Sequence, residues 1–265
     1  MQNVIIAIFF SIVGMCIASF LHTLVFRIEK GSDIRALLFE SSNCDRCNKK
    51  IPWYALIPFF GYLIIGGKCV NCKAKIPIIY PLSELFLGVS FGAFAYCDVQ
   101  AEFYVILAFL FFMSFFDINS QSIPRKVVHL FLIISLLSTI VIFFAYQYHY
   151  YLIYDFFIAK IISLSVTMLV VVIIMILNFF KKSFGFGDIL ILIGLGIFFD
   201  RSKILFVFFV TLIVSLLYII IMLIFKKITL KSYIPLVPFI TIAYVISVLF
   251  MYCGYNYFNI GFIDV

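Results

Sequence analysis

The chain has 265 residues, 66% of them hydrophobic and only 12% charged. No water-soluble domain of that length could hide so much apolar surface, so lipid is its solvent. The net charge of +7 points to membrane topology rather than to nucleic acid, because the basic residues lie in the short breaks between apolar stretches.

A membrane-crossing helix needs roughly 20 mostly apolar residues. The sequence offers about eight such stretches, at 3–26, 79–97, 101–117, 127–146, 154–180, 188–200, 203–225 and 233–252. They predict an all-α, polytopic transmembrane helical bundle. Three regions follow: a first span over 1–26, a polar insertion over 27–78, and a membrane domain over 79–265. The first stretch lacks a basic start and a small-residue cleavage site, so it reads as a retained span and not a signal peptide. In this arrangement sixteen of the 19 Lys and Arg fall on the face that carries the insertion. That face is therefore expected to be cytoplasmic, with both termini outside.

The insertion contains Cys44-Asp45-Arg46-Cys47 and Cys69-Val70-Asn71-Cys72. Two C-x-x-C pairs can bring four thiolates around one tetrahedral ion, which predicts a structural zinc site at Cys44, Cys47, Cys69 and Cys72. A reducing cytoplasm argues against disulfides there, and Arg46, Lys49, Lys50, Lys68 and Lys73 favour the thiolate form. A closed four-Cys shell has no position for a substrate, so its role is to fold the loop. Cys16, Cys97 and Cys253 are scattered and read as packing residues or free thiols. Between the pairs, Ile51-Pro52-Trp53-Tyr54-Ala55-Leu56-Ile57-Pro58 is too apolar for a solvated linker. It is expected to pack on the zinc module or to rest at the lipid interface, with a substrate groove as the sharper alternative.

Ionisable groups within spans are functional candidates. Asp117 closes the third stretch and Asp188 opens the sixth, both at the cytoplasmic side. Two carboxylates at one depth suit aspartyl proteolysis, in which one acid polarises the peptide carbonyl while its ionised partner activates water. Asp188 stands at a helix N-terminus, where the dipole favours the anion, and Asp117 at a C-terminal end, where it does not. Asp188 is accordingly expected as base and Asp117 as the initial proton holder. Gly185 and Gly187 leave room for an extended peptide and for a bend at the helix start. Glu84 reads as a structural carboxylate, His22 and His129 as satisfied membrane histidines, and Asp155 and Lys160 as groups near the outer face.

These residues, in this order, resemble the type IV prepilin peptidase family of leader peptidases and N-methyltransferases. The resemblance runs from Ser19-Phe20-Leu21 and Arg27 through both Cys pairs to Tyr80-Pro81-x-x-Glu84. It resumes at Asp117 with Ile123-Pro124 and ends at Gly185-Phe186-Gly187-Asp188. It implies Asp117 and Asp188 as the catalytic pair and a prepilin or pseudopilin precursor as substrate, cut at the cytoplasmic face of a bacterial cytoplasmic membrane. It also implies methylation of the new N-terminus from S-adenosylmethionine. The chain has His22 where the family usually has Asn, Arg125 where it has Asp, and Leu190 where it often has Lys. A preflagellin- or presenilin-like protease would share the aspartates but not the cysteines. A proton-coupled transporter would place its acids nearer the membrane midplane.

Overall fold

The structure is a computed structural model describing residues 2–31, 41–44, 46–146, 152–180, 185–199, 201–226 and 234–258. Among the described residues it is helical with no strand, only two isolated bridges. The chain divides into two compact units, 1–100 and 101–265.

In the first unit α1 (Gln2–Glu29) packs along α3 (Ile79–Tyr96). Small residues set how closely they meet. A Cβ at Gly14 would lie 2.8 Å from the Leu87 carbonyl oxygen, and one at Gly88 would lie 2.9 Å from that of Ser11. Gly88 and Gly92 are four apart and therefore share a helix face, the small-x-x-x-small arrangement that lets helices associate in lipid by backbone contact.

The insertion repeats one small motif. Asn43 bridges Lys50, and Lys68 bridges Lys75. In each turn the first Cys donates its N–H to a carbonyl five residues on, Cys44 to Lys49 at 3.0 Å and Cys69 to Ala74 at 2.8 Å. In each, the residue four after that Cys has positive φ, Asn48 at 54° and Lys73 at 59°. The two C-x-x-C pairs are thus two copies of one knuckle. Asp45 lies outside the described residues. Between the knuckles come a 3₁₀ turn at Trp53–Leu56 and the five-residue α2 (Phe60–Ile64). Trp53 is 77% exposed, so it does not pack on the Cys module as one of the expectations had it.

The second unit comprises α4 (Ala101–Ser120), α5 (Arg125–Tyr146), α6 (Leu152–Phe180), α7 (Phe186–Phe198), α8 (Arg201–Ile224) and α9 (Val237–Phe258). Pro124 fixes the start of α5, its carbonyl accepting the Val127 and Val128 amides. Phe103, Phe198, Phe199 and Tyr244 form a buried aromatic cluster, and the Tyr244 hydroxyl donates to the Phe103 carbonyl at 2.9 Å.

Five described helices are long and apolar enough to cross a membrane: Asn3–Glu29, Ile79–Tyr96, Ala101–Ser120, Arg125–Phe144 and Lys203–Ile224. Within the described residues Lys160–Ile176, Phe186–Phe198 and Val237–Cys253 are shorter apolar helices. With 13 residues, α7 is about 20 Å long. It falls short of a hydrocarbon core roughly 30 Å thick, and its C-terminal carbonyls are met by side-chain donors. Lys160 Nζ donates to Phe198 at 2.7 Å, Ser163 Oγ to Phe199 at 2.9 Å, and Thr139 Oγ1 to Ile197 at 2.9 Å.

This corrects the expectation that Lys160 snorkels to the outer face. It is buried, because a cation at a helix C-terminus is favourable against both the dipole and the orphan carbonyls. Lys160→Met is expected to cost about 1–3 kcal/mol through the abandoned Phe198 acceptor, read as a lower midpoint in a denaturation titration. The Asp155 side chain lies outside the described residues. Cys97 and Cys253 are each disulfide-bonded and are not free thiols, whereas Cys16 is free and exposed.

Candidate active site

Asp117 ends the buried run Leu110–Asp117 of α4, and Asp188 opens α7. Both belong to the second unit, and both are buried, 2% and 6% exposed. Their carboxylates are near enough to interact electrostatically.

Each acid is fixed by a backbone amide at a helix start. Asp188 is the third residue of α7, and its Oδ2 accepts the N–H of Gly185, the N-cap, at 3.1 Å. This is the reach-back half of a capping box. Asp117 Oδ2 accepts the N–H of Val237, the first residue of α9, at 3.0 Å. The expected asymmetry between the acids therefore fails. Asp117 sits at the C-terminal end of its own helix, yet its carboxylate lies at the positive end of another, so both acids occupy N-terminal dipole positions.

The sequence reading placed a span at 233–252 but did not tie its start to Asp117. Its signal was present: Ile234-Pro235-Leu236-Val237-Pro238 opens an apolar run, and proline is favoured in a helix's first turn. A further link holds α9 against α4, since Ser114 Oγ and Thr241 Oγ1 lie 2.6 Å apart, both buried, within one turn of Asp117 and Val237 respectively.

The glycines play plainer roles than expected. Gly185 has φ −75°, ψ 151°, extended backbone open to any residue, and a Cβ there would lie 3.4 Å from Asp188 Oδ2. Among the described residues a Cβ on Gly187 would meet nothing within 4 Å. Phe184 lies outside the described residues.

In the first unit the Sγ atoms of Cys44, Cys47, Cys69 and Cys72 lie within 4.8 Å of one another. Cys44 and Cys72 are 3.8 Å apart, and a tetrahedron with metal–sulfur bonds of about 2.3 Å has edges of about 3.8 Å. The donor set therefore fits one zinc ion. Hydrogen bonds from the Cys72 and Asn71 amides lower the Cys69 thiol to about 6, while burial and the neighbouring thiols push Cys72 up to about 11, so the first negative charge of the cluster settles on Cys69.

Glu84 has a structural task. Its Oε2 accepts the N–H of Phe59 at 2.7 Å. Phe59 has φ 59°, ψ −54°, and Phe60 donates to Pro58 at 2.6 Å, a γ-turn of the strained, positive-φ kind. Glu84 thus ties the turn before α2 to the second turn of α3. His22 is buried, 3.0 Å from Ser83 Oγ, with its ring edge on Tyr80, whereas His129 is exposed on α5.

The profile of the bacterial peptidase A24 N-terminal domain matches residues 12–97, and that of the type IV leader peptidase family matches 104–223. Among curated proteins, a prepilin leader peptidase/N-methyltransferase of Neisseria gonorrhoeae is 30% identical over 43% of this chain and 49% of its own length. Those of Myxococcus xanthus and Vibrio cholerae are 29% and 30% identical over 44% of this chain, and over 36% and 50% of theirs. The aligned region thus spans about half or less of each relative. No solved structure gives a significant match. The two profile matches lie end to end over most of the chain and take in both aspartates and all four clustered cysteines, and the chain belongs to the type IV leader peptidase family.

Proposed function

We propose that this protein is an intramembrane aspartyl endopeptidase that removes the leader from type IV prepilin-like precursors at the cytoplasmic membrane face and then methylates the new N-terminus. The observation that carries the proteolytic part is the pair of buried, interacting carboxylates, Asp117 and Asp188, each held at a helix N-terminus. Two adjacent negative charges oppose one another, so the pair holds one proton between them. The protonated member donates to the scissile carbonyl while the ionised one takes a proton from the attacking water. Because each acid accepts an amide at a helix N-terminus, the proton belongs to the pair and neither acid is the fixed base.

The apolar helices lie in the bilayer with the basic loops inside, and α7, too short to cross it, starts at that same side, so both acids lie near the cytoplasmic face. There a leader that ends in Gly gives way to a hydrophobic helix. Zinc at the four cysteines folds the insertion, and S-adenosylmethionine is the methyl donor. Purified protein in lipid should cut a precursor after that Gly and add one methyl mass to the mature N-terminus. Mass spectrometry showing an uncut precursor, or a cut elsewhere, would refute this reading.

The exposed apolar side chains of the insertion fit the lipid interface. Trp53, Phe60, Leu63 and Ile64 are all more than half exposed, and the Glu84–Phe59 bond holds them level with the first turns of α3, at the depth where aromatic residues are favoured. Trp53 is the chain's single tryptophan, so its emission reports this directly. Brominated lipid is expected to quench it strongly, and emission unaffected by brominated lipid would show that Trp53 faces water.

A further inference from the structure

The helix α9 reaches the aspartyl site with more than one amide. Its first residue, Val237, donates to Asp117 Oδ2 at 3.0 Å. One turn deeper, Thr241 Oγ1 lies 2.6 Å from Ser114 Oγ of α4. We propose that Ser114 and Thr241 are positioning residues for leader cleavage, which together hold the start of α9 so that the Val237 amide stays on Asp117. The inference rests on the peptidase reading of the two aspartates and assigns α9 a part in it.

The spacing stacks the two contacts. Thr241 is four residues after Val237 and Ser114 three before Asp117, so each hydroxyl lies on the same helix face as the group above it. One turn, about 5 Å, separates the contacts in both helices. A single hydrogen bond leaves a helix end free to pivot, whereas two contacts a turn apart fix its rotation as well as its distance. The start of α9 is weakly held by its own backbone. The first amides of any helix have no partner inside it, and Pro235 and Pro238 carry no N–H at all.

Counting protons shows that the link between the helices is a hydrogen bond. Ser114 Oγ also lies 2.8 Å from the Leu110 carbonyl, and Thr241 Oγ1 2.9 Å from that of Val237. Two hydroxyls therefore have two protons for three short contacts. If each gave its proton to its own helix, two sets of lone pairs would face one another at 2.6 Å, so one proton lies between α4 and α9. Both hydroxyls are buried, 5% and 2% exposed, where an unpartnered hydroxyl is costly. Two valine-like side chains would fill the same space without that cost, and without the link.

The consequence falls on Asp117. A reacting group displaced by about 1 Å loses on the order of a hundredfold in rate. Binding of a leader and its hydrophobic helix draws on other surfaces, so the loss belongs in kcat and not in KM.

The test is steady-state cleavage of a synthetic precursor segment by the purified full-length protein in lipid. Thr241→Val and Ser114→Ala are each expected to lower kcat at least about tenfold with KM within about twofold. Thr241→Ser keeps the hydroxyl and should recover kcat to within about threefold of the unaltered protein. Tyr244→Phe is the control, since it removes a second hydrogen bond between the same two helices, to Phe103 near the other end of α4; its kcat should not change. In the same preparation without substrate, hydrogen exchange of the Val237 amide should be at least about tenfold faster in Thr241→Val and Ser114→Ala and unchanged in Tyr244→Phe. Cleavage with kcat and exchange unmoved in both hydroxyl variants would overturn the proposal alone. So would an equal loss of kcat in Tyr244→Phe, which would make the hydroxyl pair a tie of the bundle and nothing more. An unaltered protein that cuts no precursor would instead remove the peptidase reading, and the proposal with it.

Discussion

Asp117→Asn and Asp188→Asn are each expected to slow leader cleavage by at least about a thousandfold, the upper part of the range for a lost general acid or base. The substitution is isosteric, and an amide oxygen can still accept the Val237 and Gly185 N–H bonds that hold the two carboxylates. The fold should therefore survive, and an unchanged thermal midpoint would confirm it. What vanishes is the shared proton and the charge that activates water. Groups that work as a unit are strongly non-additive, so the double variant should be scarcely slower than either single one. Single-turnover cleavage followed by mass spectrometry measures all three. A double variant whose loss equals the product of the two single losses would mean that the acids act independently, and a variant still cutting at full rate would exclude that acid from the chemistry.

Any one of Cys44→Ser, Cys47→Ser, Cys69→Ser and Cys72→Ser is expected to empty the metal site and unfold the insertion. A structural zinc ion contributes on the order of 10 kcal/mol to small domains of this kind, more than these two short knuckles can replace from their own packing. Metal analysis should find about one zinc per chain in the unaltered protein. Limited proteolysis should newly cleave between the knuckles in each variant. Full zinc content in any single variant would remove that cysteine from the set. Acid should act in the same direction. The Cys69 thiol is depressed from the usual 9.0 to about 6, so it stays a thiolate ligand down to that pH and is lost to protonation as pH falls through about 6, which releases the metal. Protons and zinc compete for the same sulfur.

Much of this was legible in the sequence because it is local. Apolar runs announce helices by composition, and all eight stretches are helical with ends within a few residues of those expected. The C-x-x-C pairs announce a ligand set by spacing alone. The two aspartates stood out because charge is expensive in an apolar run. What escaped was long-range. The amide that fixes Asp117 comes from Val237, 120 residues away, and no local pattern says which helix start will meet which acid. The dipole argument for Asp117 failed for the same reason: it counted only the helix to which the residue belongs. Lys160 was misplaced because its position along α6 suggested water, whereas its partner is a carbonyl at the C-terminal end of α7. The γ-turn at Phe59 was invisible because its positive φ falls on an aromatic residue instead of the glycine that usually marks such a turn.

That short helix has one more consequence. The far end of α7 is tied to α5 and α6 by Thr139, Ser163 and Lys160, so the height of Asp188 is set by protein and not by where lipid meets water. A span that ends at both interfaces tilts or shifts when the bilayer thickens. A helix anchored inside its own bundle has a fixed reference, and acts as a ruler. The position of the cut along a precursor should then stay the same in thin and thick membranes, even where the rate does not.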